Sequence, residues 1–190
     1  MPMAAHEYHF VTRWEVPGTP EEVYAILEDA GALGRWWPSV YLDVRVVDPG
    51  GDGGPGAYTD LHTKGWLPYT LRWRFRAVEK RPPTRLAIEA QGDFVGRGVW
   101  TLAPAAEGTE VVYDWRIRAE KPLLRSLSFL LKPLFSANHE WAMARGEESL
   151  RLELARRRAP GDEERARVPA PPGPTPTSLP RWLARMVFRR

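Results

Sequence analysis

The sequence contains no cysteine, which excludes disulfide cross-links and thiolate metal ligands. No stretch approaches the ~20 consecutive apolar residues that a membrane-spanning helix needs. The opening MPMAAHEYHF has no basic flank ahead of an apolar run, so no secretory leader is read there and the expected location is the cytoplasm. Net charge is missing from most of the chain. Residues 1–158 carry 21 basic and 21 acidic side chains, and the last 32 residues, with six arginines against three acids, supply the whole +3. A neutral main body speaks against a nucleic-acid partner. Several chemical signatures are incomplete or absent. HEWAM begins like the zinc-protease pattern HExxH, but Met143 stands where the second imidazole is needed, so no metal is expected. Gly96-Arg97-Gly98 lacks the third glycine and the following helix of a dinucleotide site. GDGGPG lacks the Lys-Ser/Thr of a phosphate loop, and no GxSxG occurs. No cofactor is expected.

What is present is apolar bulk: 43% hydrophobic residues and nine tryptophans, ample for one domain's core. EYHFVTRWEV (7–16) alternates, with Tyr8, Phe10, Thr12, Trp14 and Val16 on one face, as a half-buried strand does. In PGTPEEVYAIL, Thr19 is a ready N-cap, Pro20 suits the first helical position and Glu22 completes a capping box. ALGRWW gives a second short helix ended by Pro38. The period then switches to two: YLDVRVVD (41–48), AYTDLHTK (57–64), YTLRWRFRAVE (69–79), RLAIEA (85–90), FVGRGVWTLA (94–103) and EVVYDWRIRA (110–119). Strands joined by short turns imply an antiparallel meander, one face covered and the other wet. In 57–64 Asp60 and His62 share one face; one register makes them a polar pair in the pocket mouth, and the preferred one puts Leu61 inside and the pair in water. The outward Arg72, Arg74 and Arg76 are expected to pair across strands with Glu89, Glu110 or Asp114. KPLLRSLSFLLK opens a helical run that Pro133 breaks or kinks, and a helix follows to about Arg158. The sheet's apolar face needs cover, and that last amphipathic helix is the long element left to provide it.

This order, with TPEEVYAIL and RWWPSV, LPYTLRWRF, GRGVWTL with EGTEVVYDW, and KPLL…NHEWAMARGEESL, resembles the helix-grip proteins. These are the SRPBCC or START/Bet v 1-like superfamily, and the likeness is to its polyketide cyclase/dehydrase and lipid-transport branch. It covers residues 7–157. The resemblance implies an α+β fold of about seven strands in a curved antiparallel sheet wrapped around the C-terminal helix, and an internal hydrophobic cavity. Carriers, sensors and enzymes share that fold without a common catalytic set.

The residues point to the same place. On the terminal helix, Phe135, His139, Ala142 or Met143, Gly146, Leu150 and Leu154 recur at the three- and four-residue spacing of one helix side. An imidazole there is either a core histidine bonded to a tyrosine or a carbonyl, or a cavity group that binds or protonates a ligand oxygen. A structural or ligand-orienting role for His139 is favoured over catalysis, which needs partners the sequence does not display. Alternation adds candidate ligand-binding groups: Tyr8 and Thr12 on the first strand, Tyr69, Trp73 and Phe75 on the fourth, then Trp100, Tyr113 and Trp115. Met143 and Gly146 join His139 on the helix. Small glycines facing large aromatics mean close packing or a void, and both readings stand. The expected function is binding of a hydrophobic small molecule or lipid, as a carrier or sensor. The rivals are a cyclase or dehydratase using His139 as acid/base on a polyketide-like substrate, and an interaction protein acting through its tail. Beyond the domain, residues 159–178, with six prolines, read as a disordered linker. Residues 179–190, LPRWLARMVFRR, form a basic amphipathic segment whose apolar face is open to three readings: an anionic membrane surface with a peripheral location there, the protein's own sheet or cavity mouth, or a sticky end with no role.

Overall fold

The structure is a computed structural model that describes residues 7–50, 56–120 and 122–176, and of 122–131 the main chain alone. Seven antiparallel strands form one sheet: β1 (Glu7–Val16), β2 (Tyr41–Asp48), β3 (Tyr58–Lys64), β4 (Thr70–Arg81), β5 (Arg85–Gly92), β6 (Phe94–Ala105) and β7 (Gly108–Ala119). Their order across the sheet is β1-β7-β6-β5-β4-β3-β2. The first two strands are therefore the two edges, and the helices between them, α1 (Pro20–Leu27) and α2 (Leu33–Trp36), carry the chain from one edge to the other.

Period two decides what each strand buries. Tyr8, Trp14 and Val16 of β1 are buried, as are Phe75 and Ala77 of β4 and Val111, Tyr113 and Trp115 of β7. The intervening residues are exposed or half-exposed. In β3 Leu61 is buried, while Asp60 lies outside and takes both Arg74 nitrogens at 2.5 and 2.9 Å. Arg76 reaches Glu89 at 3.3 Å. Two of the three stripe arginines are thus spent on cross-strand pairs of the wet face: Arg76 on the expected Glu89, and Arg74 on Asp60 in place of Glu110 or Asp114.

Helix α1 starts as its sequence requires. Thr19 Oγ1 accepts from the Glu22 amide at 3.4 Å, and the Glu22 carboxylate accepts from the Thr19 amide at 2.8 Å. Arg158 also donates to Glu22, and these bonds hold the carboxyl down at about 2. Helix α3 spans Pro122–Arg158 and runs through Pro133, where the sequence predicts a break or kink. Proline removes one main-chain donor, and the bonds on either side carry the helix past it. The inward face of α3 buries Met143, Gly146, Leu150 and Leu154 against Trp14, Trp37 and the aromatic residues of the sheet. Its last turns are held by a buried carboxylate. Glu153, 1% exposed, takes Arg35 of α2 through two bonds of 2.9 and 3.0 Å and Arg157 at 2.9 Å. Burial alone would raise this carboxyl; the arginines keep it below the ordinary value.

Composition predicts a disordered linker from residue 159, and the structure differs there. A short helix, α4 (Asp162–Arg167), follows α3, with three acids in its first turn and arginines in its last, the arrangement its dipole favours. The chain then runs back over the domain. Arg156 Nη2 donates to the Pro169 carbonyl at 2.9 Å, and Lys64 Nζ donates to the carbonyls of Thr175 and Pro176 at 2.5 and 3.2 Å. Proline makes this course intelligible: it stiffens an extended chain and leaves carbonyls without competing amide donors. The amphipathic segment 179–190, and the membrane contact expected of it, lie outside the described residues.

Candidate functional site

A cavity of about 160 Å³ lies between the sheet and α3. Its wall is aromatic because β4, β6 and β7 place large rings on successive inward positions. Trp100 stacks on Tyr113 at 3.9 Å, Tyr113 on Trp115 at 5.5 Å, and Trp73 meets Trp115 at 5.9 Å and Phe94 at 4.8 Å. From the other side come Phe135, Asn138, His139, Ala142 and Met143 of α3, and Trp37 closes the floor behind α2. A second cavity of about 70 Å³ lies behind Trp37, Tyr41, Trp73, Trp100 and Tyr113, which line both.

His139 stacks on Phe10 with ring centroids 4.0 Å apart. Its Nε2 is buried without a hydrogen-bond partner. Loss of hydration pushes the imidazole down to about 4, so at neutral pH the ring is uncharged. Burial raises the tyrosines that share the wall: Tyr69 to about 12, with Tyr41 and Tyr113 also pushed up. These phenols therefore remain protonated. Trp73 Nε1 donates to Thr63 Oγ1 at 3.0 Å, and Asn138 Oδ1 accepts from the Leu67 amide at 3.1 Å. Among the described residues that line the cavity, Lys64 carries the one formal charge at neutral pH and no carboxylate is present.

Of the sequence candidates, Tyr8, Tyr69, Trp73, Trp100, Tyr113, Trp115, His139 and Met143 line this cavity. Three do not. Thr12 shares the inward face of β1, but its neighbour Phe10 forms the wall in that region. Phe75 faces the second cavity. Gly146 is not opposite a void at all: a methyl group there would run into the Trp37 indole. Gly98 is likewise filled by the Tyr113 hydroxyl and the Trp115 ring. At both glycines the small residue means contact. The sequence reading omitted Phe10, Trp37, Tyr41, Lys64 and Asn138. Phe10 was within reach of β1's alternation, and Asn138 stands three residues from Phe135 and four from Ala142. Lys64, at a strand end, carries no such signal.

The family model described as polyketide cyclase/dehydrase and lipid transport matches residues 8–154. The chain belongs to this family. As a polyketide cyclase/dehydrase-family protein it shares its fold with several solved structures. The Zhui aromatase/cyclase of a Streptomyces species superposes with a TM-score of 0.61 at 15% identity, covering 80% of this chain and 96% of the other. A Thermus thermophilus protein gives 0.59 at 23% identity, covering 76% and 96%. The di-domain aromatase/cyclase StfQ of the steffimycin biosynthetic pathway gives 0.58 at 16% identity, covering 82% of this chain and 52% of that one. Identities this low establish the common helix-grip fold. No curated protein matches the chain. Within this family frame the site offers an apolar enclosure, neutral hydroxyl and imidazole groups, and a lysine. Among the described residues no group of three or more His, Cys, Asp or Glu could hold a metal ion. No described helix is long and apolar enough to cross a membrane.

Proposed function

We propose that this family member binds a small hydrophobic molecule in the cavity between sheet and α3, as a carrier or sensor. The observation that carries the reading is an aromatic enclosure containing one buried, unpartnered imidazole nitrogen. Apolar walls supply non-directional affinity, and a few fixed polar groups supply orientation. An unpartnered buried nitrogen costs free energy, which a ligand oxygen recovers by completing its hydrogen bond. The volume sets the size of the guest. A dry cavity of about 150 Å³ holds a benzene-sized molecule, and drug-sized sites run from about 300 Å³ upward. At about 160 Å³ the site takes one ring or a short alkyl chain, and a lipid or polyketide requires widening.

The rival reading, a cyclase or dehydratase, draws on the same His139. An imidazole that protonates only near 4 is a weak base at neutral pH, and no carboxylate shares the wall to assist it, so binding is the better-supported function. Native mass spectrometry of freshly purified protein, followed by titration of tryptophan fluorescence with apolar ligands, tests it. Binding should quench or shift emission from the wall tryptophans, and Ala142→Phe, which adds bulk inside the cavity, should weaken it at least about tenfold. Absence of both a co-purified molecule and any saturable titration refutes the proposal. Conversion of the bound molecule, with turnover reduced about 10²-fold by His139→Gln, favours the enzyme.

A further inference from the structure

Lys64 is 2% exposed and lines the cavity. Among the described residues its ammonium faces no carboxylate; it donates instead to the Thr175 and Pro176 carbonyls, 2.5 and 3.2 Å away. A buried ammonium held by neutral acceptors is poorly compensated, and loss of hydration lowers its proton affinity. Thr175 Oγ1 adds a bond to the Gly65 carbonyl at 3.2 Å. Gly65 is itself packed so tightly on the Asn138 carboxamide that no Cβ fits. The end of the described chain is therefore fastened at the cavity wall on β3 and α3, where Lys64, Gly65 and Asn138 meet.

We propose that Lys64 is the recognition site for the carboxylate of an amphiphilic ligand, and that the strap 168–176 occupies it in the unloaded protein. This rests on the cavity being a ligand site, as proposed above, and adds the ligand's charge and the device that guards it. Two strap carbonyl oxygens on one ammonium stand where the two oxygens of a single carboxylate would. A carboxylate adds the attraction of opposite full charges, which a carbonyl lacks, to the same hydrogen bonds, so it outcompetes the strap on local chemistry. The remainder of the wall is uncharged and aromatic, which suits an apolar body behind the anionic head. Release of the strap also uncovers the wall at Gly65, the widening that a guest larger than about 160 Å³ demands.

The test uses the full chain with octanoate and octanol as matched probes, titrated by tryptophan fluorescence. Octanoate should bind more tightly than octanol, and Lys64→Met should reduce the octanoate-to-octanol affinity ratio at least about tenfold. Combined Arg156→Met and Thr175→Val substitutions remove the Arg156 bonds to Pro169 and Glu153 and the Thr175 bond to Gly65. They should tighten octanoate binding several-fold and raise the mobility of the Ala170 and Gly173 amides in NMR relaxation. Equal affinities for the two probes, with neither variant altering the ratio, overturn the carboxylate assignment and leave the cavity reading standing. Binding of neither probe overturns both. Unchanged octanoate affinity in the strap variant, with strap mobility raised, refutes competition by the strap.

Discussion

Acidification is the sharpest probe of His139. In the folded protein its imidazole protonates near 4 rather than 6.5, because burial strips its hydration. In the unfolded chain the ring takes a proton as pH falls past about 6.5. Between those values acid favours the unfolded state. The stability that the neutral ring preserves above about 6.5 is lost progressively on the way down to about 4, and nothing further is lost below it. At about 1.4 kcal/mol per tenfold difference in proton affinity, the span from 6.5 to about 4 amounts to about 3 kcal/mol. Other groups titrate in acid too, so the measurement is a difference. Urea unfolding of wild type and His139→Gln, at neutral pH and near pH 4, isolates the imidazole. Wild type should lose about 3 kcal/mol more than the variant over that interval. NMR should show the His139 ring failing to titrate until about 4. Parallel pH dependence in the two proteins, or titration of the His139 ring near 6.5, would refute the argument that the ring is dehydrated by the cavity wall.

Gly146→Ala should destabilise the protein by about 1–3 kcal/mol through overpacking on Trp37, although alanine gains about 1 kcal/mol in helix propensity; thermal melts decide the sign. Glu153→Ala should cost about 2 kcal/mol at neutral pH by freeing Arg35 and Arg157. In wild type the contribution of Glu153 should be present above its ordinary value of 4.5 and fade as pH falls below it, since the arginines hold the folded carboxyl lower. Asn138→Ala should cost about 1–3 kcal/mol by leaving the buried Leu67 amide unsatisfied, with faster exchange of the Leu67 amide as the local readout.

Strand alternation made most of the sheet legible. In β4 the arginines at 72, 74 and 76 could not share a face with Phe75, whereas in β3 Leu61 against Asp60 and His62 only favoured one register, and the buried Leu61 decides it. The capping box at Thr19 announced α1 because both of its bonds are local. The cavity wall was only half legible, because a strand pattern says which side a residue faces and not which neighbour fills the space beyond it. Gly146 illustrates the limit. Its own helix marks it as inward, but Trp37, which fills the space before it, arrives from α2 more than one hundred residues earlier in the chain. Lys64 illustrates another. Its partners are main-chain carbonyls of a proline-rich segment, whose composition advertises only weak packing, and carbonyl acceptors leave no mark on side-chain sequence.

The placement of β1 at the sheet edge has a kinetic consequence. It pairs with β7 over its whole length, from Glu7 opposite Arg118 to Val16 opposite Thr109, so its partner is synthesised roughly a hundred residues later. β2 to β7 can zip as successive hairpins from short turns, but the seam between β1 and β7 requires closure of nearly the whole meander before its first hydrogen bond is made. Pairings of that sequence separation slow folding toward the millisecond-to-second range. Until α3 has emerged from the ribosome, the inward face of Trp73, Trp100 and Trp115 lacks the long helix that covers it. The same aromatic rings that line the finished cavity are therefore, during synthesis, the surface on which nascent chains would associate with one another.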